Sequence, residues 1–547
     1  MRWTAGVGAA LDARVALRRI KLADTRYWQQ QTARLQLRQL RRILKHAART
    51  EIGRQHEFDR LAAVDDGSLL GAFRSAVPVR DWYDFKDRIA RMREGGERDV
   101  LWPGLVRDFA QTSGTTAGDK FIPVTNEMFR SNYRASLDIF GHLGRRDARG
   151  FDEDLPRIMS GRALFLGGSS DVTENEHGVR TGDLSGLVTR LIRWPLSEVY
   201  SPGPDIALES HWPTKIEKMA RLVIDQDVRF ISGMPSWALV LFERMLELSR
   251  ERGKPASCVR ELWPNLRVFV HGGVRYDPFR ARTATAFSGD PETDIPNRFE
   301  LYPASEGFIA LQDIAGDRGL RLLVDIGNFY EFVPVEQAGE DDPETFSAWE
   351  VERGQRYVVV MTTCAGLYRY LIGDVVEFDH VPGGLDGSGG DGPARLRIVG
   401  RHKHFINAFG ENIIVEHIED AVAQASEATG FTVGEFTAAP VYPGEGRRAG
   451  LELAVETSPC PPDYALITRF AEAFDASLKS VNVDYTTKRT DSLGMAPPTV
   501  TPIPLGTFHR WLESRGKLGG QHKCPRCANH RETLEAVVAS APLAGTA

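Results

Sequence analysis

Strand-like and helix-like segments alternate between about residue 100 and residue 380, and this alternation constrains the fold of the chain most. Residues 227–233 (DVRFISG) predict a strand, and the apolar-periodic stretch that starts at Pro235 predicts a long helix, because proline favours the first helical turn. Residues 161–168 (GRALFLGG) predict another strand that ends in glycines. Repeated units of this kind imply parallel sheets covered by helices. The sequence therefore predicts an α/β fold with helix-covered, mainly parallel sheets.

The length of the chain and a change of pattern near residue 400 predict two domains. A chain of 547 residues is longer than a single hydrophobic core usually supports. Beyond residue 400, FTAAPVY and GLELAVET predict strands and residues 462–480 predict a helix. We therefore expect residues 1–399 to form a large N-terminal domain and residues 400–547 to form a small α+β domain.

Two segments have an unusual composition. Within the mainly helical first sixty residues, leucines recur at helical spacing between basic residues, which are Arg34, Arg38, Arg41, Arg42 and Lys45. We expect an amphipathic helix with a solvated basic face, and a membrane- or phosphate-binding patch is the alternative. Residues 381–394 are rich in Gly and Asp and predict a flexible hairpin tip.

Composition excludes several classes of partner and site. Lys and Arg total 68 against 74 Asp and Glu, a net charge of −6, which gives no general attraction to nucleic acid or membrane. No apolar run is long enough to span a bilayer, so we expect a cytoplasmic protein. Five cysteines do not suggest a disulfide framework. Cys524 and Cys527, near His522 and His530, leave a metal site and a redox pair open, but ordinary residues are favoured because no second CxxC is present.

The nonapeptide TSGTTAGDK, residues 112–120, is too polar and too flexible to pack in a core. Glycines let the backbone approach a polyphosphate closely, and hydroxyl and backbone N–H groups donate to its oxygens. Lys120 adds a positive charge. The segment is not a Walker A loop, because Phe121 stands where that loop has a hydroxyl residue. The sequence predicts a nucleotide loop, with a plain surface loop as the alternative.

Three later segments place small or polar residues at the ends of predicted strands. The apolar run 266–270 leads to Gly272-Gly273, at the carboxyl end of a predicted parallel strand, where open α/β sheets bind ligands. Residues 302–307 read YPASEG, and residues 368–374 read YRYLIGD. Each segment also has a plain interpretation: a turn, a solvated glutamate and a turn at a strand end, respectively.

In their order along the chain, these segments resemble the nucleotide-binding motifs of the adenylate-forming superfamily, which holds acyl-CoA synthetases, peptide-synthetase adenylation domains and luciferase. Residues 39–61, the strand NFYEFVP and the segment GGQHKCPR (519–526) further resemble the auxin-responsive, acyl-acid amido synthetase family, and the chain is identified as a bacterial-type member. Leu301, Pro303 and Ala304 depart from the family pattern near the acyl pocket, so the sequence leaves the acid unidentified.

The resemblance implies a site for ATP and Mg²⁺ built by separate segments. It assigns the phosphates to Thr112, Ser113, Gly114, Thr115, Thr116 and Lys120, the adenine to Gly272, Gly273 and Tyr302, the α-phosphate to Ser305, Mg²⁺ to Glu306 and the ribose to Asp374. The segment 395–413 resembles the superfamily's crossover, where Arg401 or Lys403 would supply a further cation, and a solvated hinge charge is the alternative. Lys523 would be a catalytic lysine delivered by a mobile C-terminal lid, acting with Lys120 and Glu306.

The implied reaction joins a small carboxylic acid to an amino acid by way of an acyl-adenylate and pyrophosphate. Two alternatives remain: a ligase that forms a thioester with CoA or a carrier thiol, and a degenerate nucleotide-binding protein with a regulatory role. The presence of Lys120, Glu306, Asp374 and Lys523 argues against the last.

Overall fold

A computed structural model describes most of the chain. The described residues are 2–112, 120–143, 161–167, 172–189, 199–209, 211–272, 276, 279–401, 405–406, 413–441, 448–482, 485–486, 489, 495–515, 523–528 and 530–542. They divide into two compact units. The first unit holds the described residues up to Ile372 together with Glu377–Arg397, and the second holds Gly373–Val376, the described residues from Ile398 to Arg515, and those from Lys523 onward. The prediction of an α/β protein with a large and a small unit is confirmed.

Helices account for the N-terminal residues and cover the sheets. In chain order they are α1 (Arg2–Ala23), α2 (Thr25–Ala47), α3 (Glu51–Gln55), α4 (Phe58–Ala63), α5 (Asp66–Ala76), α6 (Trp82–Glu94), α7 (Asn126–Leu143), α8 (Leu184–Thr189), α9 (Pro204–Ala207), α10 (Trp212–Val223), α11 (Pro235–Glu251), α12 (Val259–Leu262), α13 (Arg280–Ser288), α14 (Val415–Thr429), α15 (Tyr464–Val481), α16 (Thr507–Ser514) and α17 (Glu532–Ala539). None of the helices in the described part of the chain is long and apolar enough to cross a membrane.

The strands form one large sheet and three small ones. In chain order they are β1 (Asp108–Thr112), β2 (Lys120–Val124), β3 (Arg162–Leu166), β4 (Thr173–Glu174), β5 (Arg180–Gly182), β6 (Tyr200–Ser201), β7 (Val228–Gly233), β8 (Val268–Gly272), β9 (Asn297–Ala304), β10 (Gly307–Gln312), β11 (Leu320–Leu322), β12 (Phe329–Pro334), β13 (Phe346–Ser347), β14 (Arg356–Thr362), β15 (Tyr370–His380), β16 (Arg395–Arg401), β17 (Phe405–Ile406), β18 (Ile413–Ile414), β19 (Phe436–Val441), β20 (Gly450–Thr457) and β21 (Thr499–Pro504).

The large sheet has a parallel part and an antiparallel part. Its strand order is β13-β12-β14-β15-β16-β11-β10-β9-β8-β7-β3-β6. Strands β6, β3, β7, β8 and β9 pair in parallel, as the strand–helix alternation predicts. The pairings β9–β10, β10–β11, β11–β16, β12–β13 and β12–β14 are antiparallel. The parallel prediction therefore holds for the part of the sheet whose strands are joined by helices, because parallel neighbours need long crossovers and hairpins do not.

Three small sheets complete the fold. One has the order β2-β1-β5-β4 and belongs to the first unit. In the second unit, β19-β20-β21 form one sheet and β17 and β18 pair in antiparallel. Its core contains Phe436, Leu453, Phe470, Phe474 and Tyr485. The helix predicted over residues 462–480 is confirmed as α15, and its apolar face covers this core.

The N-terminal helices pack as the sequence predicts, but the Gly- and Asp-rich segment does not. In α2, Arg34, Arg38, Arg42 and Lys45 are exposed and Arg41 is half-buried, which confirms a solvated basic face. Residues 381–394 are not a free hairpin tip. Gln29 Nε2 donates to the carbonyl of Gly390 at 3.0 Å, and the N–H of Gly383 donates to the carbonyl of Gln29 at 2.8 Å. Exposed backbone in this glycine-rich loop thus finds partners on α2, a contact that composition cannot reveal.

Candidate functional site

The first and last residues of the nonapeptide lie on two paired strands. Strands β1 and β2 are antiparallel, and Thr112 pairs with Lys120, so these two residues close the loop between them. Ser113, Gly114, Thr115 and Thr116 lie outside the described residues. Arg180 braces the base of the β1–β2 pair with a bidentate ion pair to Asp108, at 2.7 and 2.8 Å. The β1–β2 pair therefore holds the two ends of the predicted phosphate loop next to each other, with Lys120 at one of them.

The end of β8 approaches its neighbour so closely that only glycine fits. Gly272 pairs with Leu301 of β9 in a parallel ladder. A Cβ atom at Gly272 would lie 2.7 Å from the carbonyl oxygen of Leu301 and 3.0 Å from Cδ of Pro303. Gly273 lies outside the described residues. The glycine at this sheet edge therefore has a packing reason in addition to the contact with adenine that the resemblance implies.

Replacing Gly272 with alanine should destabilise the first unit by about 1–3 kcal/mol, because the added methyl group must push β8 and β9 apart. Gly71 in α5 is the matched control, because a Cβ atom there would meet no atom within 4 Å. Thermal unfolding followed by circular dichroism compares the two variants. If Gly272→Ala and Gly71→Ala unfold at the same temperature, β8 and β9 do not approach each other as closely at Gly272 as the contacts indicate.

Ser305 and Glu306 form the turn between β9 and β10. Ala304 pairs with Gly307, so the hairpin loop has two residues. Glu306 is 8% exposed and Ser305 is half-buried. Burial contradicts the plain interpretation of Glu306 as a solvated charge, because carboxylates are seldom buried without a partner or a ligand. Tyr302 is also buried. The stacking of its ring on adenine stays a prediction.

Asp374 lies inside a strand and not in a turn at its end. Strand β15 runs from Tyr370 to His380, and Asp374 is 7% exposed. Gly373 has φ of 93°, a left-handed conformation that side chains rarely adopt. The glycine of the YRYLIGD segment is therefore required by a backbone irregularity immediately before the aspartate.

The first residues of the YRYLIGD segment anchor it in the core of the first unit. The hydroxyl of Tyr368 donates to the carbonyl of Leu101 at 2.8 Å. Arg369 is buried and left-handed, with φ of 48°. Its guanidinium donates to Glu331 at 3.0 Å and to the carbonyl of Val77 at 2.7 Å. These contacts hold a strained residue in place and make Arg369 a structural group.

The segment Asn328–Glu331 connects the Ser305-Glu306 turn to the YRYLIGD segment. On one side, the hydroxyl of Tyr330 donates to the carbonyl of Phe308 at 2.9 Å, just after the turn. On the other side, Glu331 accepts from Arg369. Asn328 packs against Gly307, where an added Cβ would lie 2.8 Å from its amide nitrogen. The strand that resembles a family signature therefore acts as a scaffold for two predicted binding segments.

Lys523 belongs to a short segment that runs beside β19. The N–H of Ala438 donates to the carbonyl of Arg526 at 2.8 Å, and the hydroxyl of Thr437 donates to the carbonyl of Pro525 at 2.6 Å. Lys523 itself is half-buried. Arg401, the other predicted cation of the second unit, is described only by its backbone, at the end of β16.

The two cysteines near Lys523 are packing residues in the described part of the chain. Cys527 lies in the core of the second unit, and Cys524 packs against the cluster that contains Phe508 and Trp511. Burial raises the pKa of the Cys524 thiol to about 12. No group of three or more potential metal ligands occurs among the described residues. His522 lies outside them.

The predicted site residues fall into two sets. The first unit holds Lys120, Gly272, Tyr302, Ser305 and Glu306, and the structure places the last four at the ends of the adjacent strands β8 and β9. The second unit holds Asp374, Arg401 and Lys523. The sequence did not predict the roles of Arg369 and Arg526. The only sequence signal for such roles was that Arg369 lies within YRYLIGD and Arg526 within GGQHKCPR.

Models of one protein family match most of the chain. Residues 22–206 and 169–291 match the model of the GH3 family N-terminal domain, residues 321–384 match the GH3 family central domain, and residues 416–532 match the GH3 family C-terminal domain. The chain belongs to the GH3 family. The resemblance to acyl-acid amido synthetases is thereby confirmed at the level of the family.

Curated members of the family are similar to this GH3 protein along most of its length. The indole-3-acetic acid-amido synthetase GH3.3 of Arabidopsis thaliana is 25% identical over 525 residues, covering 85% of each chain. The jasmonoyl–L-amino acid synthetase JAR6 of Nicotiana attenuata is 22% identical over 538 residues, covering 84% of this chain and 86% of the relative.

Solved structures confirm the adenylate-forming fold. The acyl acid amido synthetase AtGH3.15, in complex with 2,4-DB, superposes with a TM-score of 0.72 at 18% identity and covers 95% of both chains. A 2-hydroxyisobutyryl-CoA ligase with 2-HIB-AMP superposes with a TM-score of 0.58 at 16% identity, covering 94% of this chain and 95% of the other. The same fold therefore occurs in an amide-forming and in a thioester-forming ligase.

Proposed function

We propose that this protein is an ATP-dependent ligase that adenylates a small carboxylic acid and transfers the acyl group to an amino acid. The observation that carries the proposal is the extent of the family match. The N-terminal part of the match includes the nonapeptide and Gly272. The central part includes Asp374, and the C-terminal part includes Lys523. The curated relatives named above are amido synthetases over the same length.

The first half-reaction forms the acyl-adenylate. A carboxylate oxygen of the acid attacks the α-phosphorus of ATP, the new O–P bond forms, and pyrophosphate leaves with the electron pair of the broken P–O bond. Lys120 and Lys523 stabilise the negative charge that develops on the phosphates. Ser305 donates to the α-phosphate, and Asp374 accepts from the ribose hydroxyls, as its acceptor-only carboxylate allows.

The described residues fit a magnesium ion carried in by the nucleotide. Glu306 is a buried carboxylate, and no cluster of three protein ligands accompanies it in the described part of the chain. Mg²⁺ is usually held by one or two carboxylates together with substrate phosphates and water. The bound ion would neutralise phosphate charge. Glu306 would orient it from the β9–β10 turn.

The second half-reaction transfers the acyl group. The amino nitrogen attacks the carbonyl carbon of the acyl-adenylate, AMP leaves, and the nitrogen loses a proton to give the amide. In this proposal residues 400–547 act as a mobile lid, which takes up one conformation for adenylation and another for acyl transfer. A bacterial-type assignment and a cytoplasmic location belong to the proposal as well, and the relatives named above are plant enzymes.

The principal alternative is a thioester-forming ligase, because the 2-hydroxyisobutyryl-CoA ligase shares the fold. A panel of carboxylates tested by ATP–pyrophosphate exchange identifies the acid. The purified protein is then given this acid, ATP and Mg²⁺ with a mixture of amino acids and CoA, and the products are identified by mass. An N-acyl amino acid supports the proposal, and an acyl-CoA contradicts it. Absence of pyrophosphate release, even with hydroxylamine as acceptor, would favour the regulatory alternative.

Replacing Asp374 with alanine should weaken ATP binding without unfolding the protein. Loss of a charged acceptor costs at most about 1.5–3 kcal/mol per hydrogen bond, so we expect the dissociation constant to rise about tenfold to a hundredfold. Asp379 on the same strand is the control, because it pairs with Arg397 at 2.8 Å and is not assigned to the nucleotide. Calorimetry that gives Asp374→Ala and Asp379→Ala the same affinity as the unchanged protein would refute the ribose assignment.

A further inference from the structure

Arg526 clamps the segment that carries Lys523. Its guanidinium donates to Glu435 Oε2 at 2.6 Å and lies 3.8 Å from Glu419 Oε1. The same group lies over the ring of Phe436, 4.5 Å from its centroid. Two carboxylates and an aromatic face therefore hold one side chain that is only 14% exposed. The planar, multiply donating guanidinium of arginine suits such an arrangement best, whereas a lysine would keep only its charge.

The clamp fixes the backbone on both sides of Arg526. The carbonyls of Pro525 and Arg526 accept from Thr437 and Ala438 of β19. The N–H of Ala528 donates to the carbonyl of Ala438 at 3.2 Å. Residues 525–528 thus extend the edge of the β19-β20-β21 sheet. Lys523 stands three residues before Arg526, so at most about 10 Å of chain separates it from the clamp.

We infer that Arg526 is the positioning residue of Lys523. This inference rests on the proposed function, in which Lys523 stabilises phosphate charge during adenylation. A long, flexible lysine side chain reaches a defined point only when its backbone is fixed. The ion pair with Glu435, the contact with Glu419 and the stack on Phe436 supply that fixation from one side chain.

A neighbouring arginine provides a matched control. Arg531 also clamps the edge of this sheet: it donates to the carbonyl of Pro440 at 3.1 Å and to Glu452 at 2.6 Å. Its side chain is 22% exposed and pairs with Glu535 as well. Arg531 therefore stabilises the same unit, but it follows the clamp in the chain whereas Lys523 precedes it.

The test is a double-mutant cycle on the two half-reactions in the full-length protein. Misplacement by about 1 Å can cost a hundredfold in rate, so Arg526→Gln should lower acid-dependent ATP–pyrophosphate exchange by about 10²-fold. It should leave transfer from a supplied acyl-adenylate near the normal rate. Arg526→Lys should retain more exchange than Arg526→Gln, and Arg531→Gln should leave exchange unchanged. Combining Arg526→Gln with Lys523→Ala should lower exchange no further than Lys523→Ala alone.

Several results would overturn the inference, and they differ from those that overturn the proposed function. Normal exchange in Arg526→Gln, equal losses in both half-reactions, or losses that multiply in the double variant would each show that Arg526 does not act through Lys523. If Arg526→Gln does not fold, Glu435→Gln removes the strongest partner of the clamp and must show the same selective loss. Normal exchange in Lys523→Ala would overturn the inference together with the assigned role of Lys523.

Discussion

Replacing Lys523 with alanine should lower acid-dependent ATP–pyrophosphate exchange by about 10²–10³-fold, the usual cost of removing a donor aimed at developing charge. Transfer of the acyl group from a chemically supplied acyl-adenylate to the amino acid should continue near the normal rate. In the proposed mechanism a lysine delivered by a moving domain serves one conformation, and the resemblance to the adenylate-forming superfamily implies that this conformation is the adenylating one. Separate assays of the two half-reactions measure both rates.

The matched control is Lys479→Ala in the same unit. Lys479 pairs with Asp475 at 2.7 Å on a partly exposed face of α15, and no catalytic role is assigned to it. Lys479→Ala should leave acid-dependent ATP–pyrophosphate exchange unchanged. Equal loss of both half-reactions in Lys523→Ala would indicate misfolding of the second unit. If neither half-reaction slows in Lys523→Ala, Lys523 is a surface charge without a catalytic role.

Replacing Glu331 with alanine should destabilise the first unit by about 3–5 kcal/mol, because it leaves a buried guanidinium without its carboxylate. The side chains of Glu331 and Arg369 are 1% and 3% exposed, and their closest atoms are 3.0 Å apart. The hydroxyl of Thr345 also donates to Glu331, at 2.8 Å. Hydrogen exchange of the β12 and β14 amides reports the change in local stability.

Glu350 provides the comparison for Glu331. It accepts from Arg74 at 2.7 Å, but its side chain is 35% exposed, so the ion pair is worth at most about 1 kcal/mol. Glu350 also accepts from the N–H of Ser347 at 2.7 Å, so Glu350→Ala should raise hydrogen exchange of the same amides, but far less than Glu331→Ala does. If the two variants lose equal stability, the buried pair does not hold the YRYLIGD segment in the way that the contacts indicate.

Much of the fold was predictable because local patterns determine it. Val228–Gly233 followed by Pro235–Glu251 forms the strand and helix that the apolar pattern and the proline indicate. The antiparallel part of the large sheet was not predicted. Its cause is visible in the turn Ser305-Glu306, since a two-residue connection can join only antiparallel strands. The sequence indicated a motif there, but not that the motif is itself the hairpin turn.

Contacts between distant segments explain what the sequence did not reveal. Arg369 and Glu331 are 38 residues apart in the chain, and nothing in either segment alone indicates that they pair. The Gly- and Asp-rich loop contacts α2 across an even longer separation. For the site, the residues were predicted from motifs, whereas the groups that position them, Tyr330 and Arg526, became apparent only from tertiary contacts.

An isotope-transfer experiment on the identified acid tests the acyl-adenylate most directly. The acid is labelled with ¹⁸O in both carboxylate oxygens and converted with ATP, Mg²⁺ and the amino acid, and the nucleotide and the conjugate are analysed by mass. Attack of the carboxylate on the α-phosphorus predicts one ¹⁸O atom in AMP, one in the amide carbonyl and none in pyrophosphate. Formation of ADP with ¹⁸O in inorganic phosphate, or of AMP without the label, would contradict an acyl-adenylate and with it the proposed function.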